Sequence, residues 1–172
     1  MSKKNTVLHE QQQARLIELL NRSLADAIDL QLQSRQAYWN VKGPHFMALR
    51  ELFDKVAGGV EEYANLIAER IVQLGGRAEG TARAVAGRSS LDGYRLASAG
   101  GNGHIAALST SSGNGHIAAL VTTLTDFGRH TRSASAQASE LHDADTAAIF
   151  TEIGRGIDTW LWFVETSQQA GS

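Results

Sequence analysis

Arg50, Asp54, Asn65 and Glu69 share one stripe of a long apolar repeat, and two of the four are carboxylates. At about 100° per helical residue, Asp54, Asn65 and Glu69 fall about 40°, 60° and 100° from Arg50. Carboxylate oxygens hold hard cations at about 2 Å. Asp54 and Glu69 are 15 residues apart, about 22 Å along a straight helix, so one helix cannot bring both to one ion. A second copy with its helix antiparallel can, because each copy then lends one end of the stripe to each of two sites. Arg50 works against that chemistry. Its guanidinium stays protonated and cannot ligate a metal, and at i,i+4 from Asp54 it can pair with the carboxylate instead.

Other reactive residue types are scarcer. There is no cysteine, so disulfides and thiolate metal sites are excluded. The octet GNGHIAAL occurs twice, at residues 101–108 and 113–120, with His104 and His116 at the same place in each copy. One histidine per copy at a 12-residue interval is no ligand pattern, and two copies are too few for a solenoid. The duplication is either natural or engineered. A net charge of −2 argues against a broad basic face for nucleic acid. Lys3 and Lys4 are the only basic pair near the N-terminus, and Arg83, Arg88 and Arg95 add charge further on.

The elements that must carry these residues are helical. One proline in 172 residues, with apolar residues every three or four positions, predicts an all-α chain. The first helix spans residues 9–38, with Leu16, Leu19, Leu20, Leu24, Ala27 and Ile28 as its stripe. Gly43-Pro44 breaks the chain before a second helix over residues 45–74, lined by Phe46, Leu49, Phe53, Val56, Val60, Tyr63, Ile67, Ile71 and Leu74. Gly75-Gly76 stops it. Residues 77–100 form a long crossover, with a short helical turn at Leu91-Asp92-Gly93-Tyr94. A third helix presents Ile117, Leu120, Leu124, Phe127, Thr131, Ala134 and Leu141. Asp143 and Asp145 can cap the fourth, in which Ile149, Ile153, Ile157, Trp160 and Val164 face the core. Trp160, Trp162 and Phe163 read as packing residues.

A 12-residue step turns a helix by about 120°, so the two octets cannot share one continuous apolar face. The second copy is expected to start the third helix. The first, within the insert at residues 101–112, forms a loop or a separate short helix; the opposite choice with a shifted register stays open. Residues 1–8 are expected to be a flexible tail and residues 166–172 to fray. The whole chain, 1–172, reads as one domain. It shows no signal peptide and no apolar run of the roughly 20 residues that span a membrane, which predicts a cytoplasmic protein.

The strings AYWNVKGPHF, LFD and AERIVQLGG, with DTWLWFVE near the C-terminus, closely resemble the Dps family of ferritin-like proteins over nearly the whole chain except the duplicated dozen. The resemblance implies a ferritin-like four-helix bundle with a long crossover between helices 2 and 3. It also implies a homo-oligomeric shell, a dodecamer, that oxidises Fe(II) at sites between subunits, stores iron, and often binds DNA non-specifically near the nucleoid.

The same resemblance supplies five ligand positions. Asp54 and Glu69 are retained, whereas Tyr38, Arg50 and Asn65 stand where the family has two histidines and an acid. Tyr38 could ligate iron only as a phenolate, against a reference pKa of about 10, and Asn65 offers only a neutral oxygen. His45 is a conceivable substitute. The ferroxidase site is therefore expected to be weakened or lost, with Asp54 and Glu69 serving instead in interface salt bridges, Glu69 with Arg70 of a neighbour. Trp39 is expected to anchor an interface, Asp143 and Asp145 to line a thinned acidic pore, and Lys3 and Lys4 to contact DNA. Two other readings stay open: an active iron-oxidising store, and an engineered or scaffold variant with altered assembly.

Overall fold

The computed structural model describes residues 3–43, 45–94 and 113–169, with side chains between residues 9 and 167. Among the described residues there are five helices and no strand. They are α1 (Lys3–Asn40), α2 (Phe46–Gln73), α3 (Ala82–Arg88), α4 (Gly113–Glu140) and α5 (Ala144–Gln169). α1 packs along α2 and α4 along α5, and the two hairpins close on one core. No helix among the described residues is long and apolar enough to cross a membrane.

α1 contains neither glycine nor proline, and nothing stops it before Asn40. It is helical from Lys3, the first described residue, so residues 3–8 of the segment read as a flexible tail are helical. Leu16, Leu20, Leu24, Ala27 and Leu30 form its buried seam, each large side chain contributing about 1.5–3 kcal/mol by leaving water. α2 sets Leu49, Phe53, Val56, Val60, Ile67 and Ile71 against that seam. Phe46, read as the first member of this repeat, is instead 39% exposed, because it starts the helix where no neighbouring turn covers it.

The end of α2 shows why Gly75 is needed there. It adopts φ +75°, and the amides of Gly75 and Gly76 donate to the carbonyls of Val72 and Ile71 at 2.9 Å each. α4 ends in the same way with a poorer residue: His142 has φ +59°, and the amides of His142 and Asp143 donate to Ser139 and Ala138. A side chain in this left-handed conformation costs on the order of 1 kcal/mol against glycine.

The crossover differs from its sequence reading. The short helix is α3, capped by the Thr81 hydroxyl, which accepts from the Ala84 amide at 3.4 Å. Leu91-Asp92-Gly93-Tyr94 is not helical. Contacts with α1 fix that stretch: Gln33 donates to the Asp92 carbonyl at 3.0 Å, and the Ser90 amide donates to Asp26 at 2.7 Å. Asn21 grips the crossover as well, donating to the Arg77 carbonyl and accepting from the Glu79 amide. Asn21, Asp26 and Gln33 are all buried and each bonds this connection, while Gln33 Oε1 accepts from the Thr123 hydroxyl and Asp26 pairs with His130, both on α4. Tertiary bonds outweigh a weak local preference here.

α4 is described from Gly113, the first residue of the second octet, so that octet is helical; the chain before it lies outside the described residues. The first octet, with His104, and Arg95 lie outside the described residues. His116 is a core histidine: its Nδ1 bonds the Tyr94 hydroxyl, its ring stacks on Tyr94 at 6.0 Å, and burial pushes its pKa down. In α5, Phe150, Ile153, Ile157 and Val164 are buried and Ile149 and Trp160 partly so. Trp160 fits against Gly59 of α2, where a Cβ would stand 2.6 Å from the indole. Trp162 and Phe163, read as packing residues, project outward at 61% and 43% exposure. Two or three residues beyond Trp160 the helix has turned by about 200–300°, away from the core seam. α5 continues to Gln169 rather than fraying at Thr166, with the Thr166 and Ser167 hydroxyls bonded back to the Trp162 and Val164 carbonyls.

Candidate metal centre

Tyr38 stands in the last turn of α1 and Arg50 in the first turns of α2, so the chain reversal at residues 41–45 brings them face to face. Arg50 Nη2 donates to the Tyr38 hydroxyl at 3.1 Å, and its guanidinium lies 4.4 Å from the ring centroid. Arg35, one turn earlier on α1, approaches the same ring at 5.9 Å. A cation over an aromatic face is held by the ring's negative quadrupole, worth about 0.5–1 kcal/mol at an exposed site.

Asp54 does not pair with Arg50 as its i,i+4 spacing suggested. Its carboxylate accepts from Arg35 Nη1, across the α1–α2 interface. Tyr38 draws Arg50 toward α1, and Arg35 takes the carboxylate that Arg50 leaves. Sequence spacing within α2 could not show this, because the competing partner comes from a different helix. Arg35 is thus a site residue that the sequence reading missed. Its one signal was its place three residues before Tyr38, on the same helical face.

Asn65 and Glu69 lie further along α2, exposed, with no contact to the Arg35–Tyr38–Arg50 cluster in the same chain. His45 is exposed at the N-cap of α2. Among the described residues no three His, Asp or Glu side chains come together as a metal site. The local charge explains why one would not form readily. Arg35 pairs with Asp54 and Arg50 stands nearby on Tyr38, so a ferrous ion arriving at Asp54 would meet two guanidinium groups and one carboxylate. Water screens that repulsion but does not reverse its sign. The donor set therefore does not fit iron within one chain.

The opposite end of the bundle holds the second group of predicted residues. Arg70, on α2, is engaged by its own chain rather than left free for a neighbour's Glu69. Its Nη2 donates to both Asp143 oxygens at 2.9 Å, and its Nε donates to the Thr146 hydroxyl at 3.0 Å. Asp143 also accepts from the Thr146 amide at 2.9 Å, capping α5. Burial pushes the Asp143 carboxyl up, but the Thr146 amide and the Arg70 guanidinium outweigh it and hold the group below the usual carboxylate range. Asp145 is 85% exposed, 4.0 Å from Arg70. Lys3 and Lys4 fall in the first turn of α1, and their side chains lie outside the described residues.

The ferritin-like domain family model matches residues 17–169. The DNA protection during starvation protein of Agrobacterium fabrum is 36% identical over 157 residues, covering 91% of this chain and 90% of the relative. The chain belongs to the Dps family. Its backbone agrees with Dps structures: DpsA14 from Streptomyces coelicolor superposes with a TM-score of 0.79 at 29% identity, over 91% of this chain and 85% of that one. A C-terminal deletion mutant of Mycobacterium smegmatis Dps gives 0.78 at 26% identity, over 88% and 96%. In this Dps chain the Arg35–Asp54 and Arg50–Tyr38 pairs occupy the surface between the ends of α1 and α2.

Proposed function

We propose that this chain builds a Dps-like shell that sequesters iron and protects the cell under stress, with its own ferroxidase site weakened or lost. Family membership supports the first half, and the occupation of Asp54 and Tyr38 by two arginines carries the second. Iron is the cargo. The chain's residues would confine it in a closed assembly of copies, a dodecamer as in the family resemblance, rather than turn it over rapidly. Asp145, exposed at the start of α5, is the acid best placed to attract ferrous ions toward a passage between copies. Asp143 is committed to Arg70 and contributes little there.

DNA protection is part of the same proposal. Lys3 and Lys4 give each copy two positive charges near its N-terminus. Two are weak alone, but many on one particle act together. A gel shift should retard DNA at low salt and lose the band steeply as salt rises, because phosphate contacts release counterions. Iron capture is tested by incubating the protein with Fe(II) in air and separating it by size. Iron eluting with a species much larger than one chain is the expected result. A chain-sized species without iron, or a shell that carries none, would overturn the proposal.

A further inference from the structure

Arg50 and Glu69, both on the exposed stripe of α2, find no opposite charge among the described residues. Arg50 rests on Tyr38 and touches no carboxylate. Glu69 is exposed and meets no cation among the described residues. They stand 19 residues apart, about 28 Å along the helix, on a stripe about 100° wide. The same stripe carries Met47 at one end and Val72 at the other, 67% and 62% exposed, and Asp54 and Asn65 between.

These six residues are arranged about a single point. Met47 and Val72, Arg50 and Glu69, and Asp54 and Asn65 are each centred between Gly59 and Val60. A second α2 running antiparallel about a two-fold axis through that point opposes all three pairs at once. Apolar meets apolar, cation meets anion, and a carboxylate meets an amide that can donate to it. Beside the axis, nothing lies within 4 Å of where a Gly58 Cβ would be, so two backbones can approach there.

The crossing angle must be shallow. Arg50 and Glu69 each lie about 14 Å from the axis; helices packed about 9 Å apart and crossing at about 20° are about 10 Å apart at that distance, within reach of Arg plus Glu. At about 50° the gap is about 15 Å and the pair cannot form.

We infer that Arg50 of one copy and Glu69 of a second copy form an ion pair across this antiparallel α2–α2 contact, so that charges of the chain join the two copies where a metal ion would otherwise sit. Tyr38 holds the Arg50 guanidinium in place for it, and Arg35 keeps Asp54 from capturing Arg50. The inference rests on the reading that this stripe no longer binds iron.

The test uses the full chain, freed of metal with a chelator, in sedimentation velocity at low salt. Arg50→Glu and Glu69→Arg should each weaken association at least about tenfold, because each places like charges opposite one another. The double variant Arg50→Glu/Glu69→Arg should recover association to within about threefold of the native chain. Native association in both single variants, or no recovery in the double, would overturn the pair. The register is checked separately, since the chain has no cysteine of its own. Met47→Cys copies mixed with Val72→Cys copies should form disulfide-linked pairs on mild oxidation, whereas neither should do so alone. Cross-linking within either variant alone, or none in the mixture, would overturn the register. Fast iron oxidation by the native chain alongside charge-swap rescue would overturn the weakened-site reading and leave the ion pair standing, because the assembly measurement contains no metal.

Discussion

Tyr38→His, Arg50→His and Asn65→Asp combined in one chain should raise the initial rate of Fe(II) oxidation at least about tenfold, the low end of what losing even a ligand's outer-shell partner costs. The combination removes the Arg50 charge and the aromatic platform that holds it, and it adds two imidazoles and a carboxylate at the family's ligand positions. Arg50→His alone should give only part of the gain, because Tyr38 and Asn65 would still present a phenol and a neutral amide. The triple variant should also fall short of a relative with all five ligands, since Arg35 still holds Asp54. Stopped-flow absorbance of the ferric product measures this directly. A triple variant no faster than the native chain would mean that the arrangement of the copies, and not these side chains, limits oxidation.

Arg70→Ala should lower stability by about 1.5–3 kcal/mol, because it removes the charge-assisted bonds to Asp143, which is 12% exposed, and leaves the Thr146 amide to hold that carboxylate. Asp143→Asn should cost less, since an amide oxygen can still cap α5 through the Thr146 amide. The denaturant midpoint, compared at equal protein concentration, separates the two. The sign of the pH dependence follows from the lowered Asp143 pKa. A carboxylate depressed in the folded state adds stability above its unfolded value of about 3.9, and loses it as pH falls through the folded value. The native chain should therefore shed this contribution only below about pH 4, and Arg70→Ala should begin to unfold at higher pH than the native chain.

The bundle was legible because its signals are periodic and redundant. Leu16 to Ala27, Leu49 to Ile71 and Ile117 to Ala134 repeat at helical spacing over many turns, and Gly75-Gly76 marks a stop with a specific backbone need. The helical state of the second octet is legible because it runs straight into an apolar repeat. The failures have a common cause. Leu91–Tyr94 was read from its own four residues, whereas Gln33 and Asp26 of α1 decide its shape. Trp162 and Phe163 were read by residue type, although their angle on α5 turns them outward.

The candidate site shows the same division. Tyr38, Arg50, Asp54, Asn65 and Glu69 were identifiable because the family motif places them. Their bonding was not. The i,i+4 rule joins Arg50 to Asp54 if α2 is alone, but α1 supplies a better acceptor surface for Arg50 and a better donor for Asp54. Likewise the sequence offers Arg70 to a neighbouring copy, whereas α5 brings Asp143 and Thr146 beside it. Pairing between helices is invisible to a rule that spans one helix.

The most direct measurement is the initial rate of Fe(II) oxidation, with oxygen and with peroxide, for the native chain and for Asp54→Ala. The result expected is a slow rate in both, close to that of iron in buffer alone, because Asp54 is held by Arg35 and Arg50 excludes the ion. A fast native rate, comparable with that of an intact Dps relative and abolished by Asp54→Ala, would contradict the weakened site and show that the stripe of α2 still binds and oxidises iron.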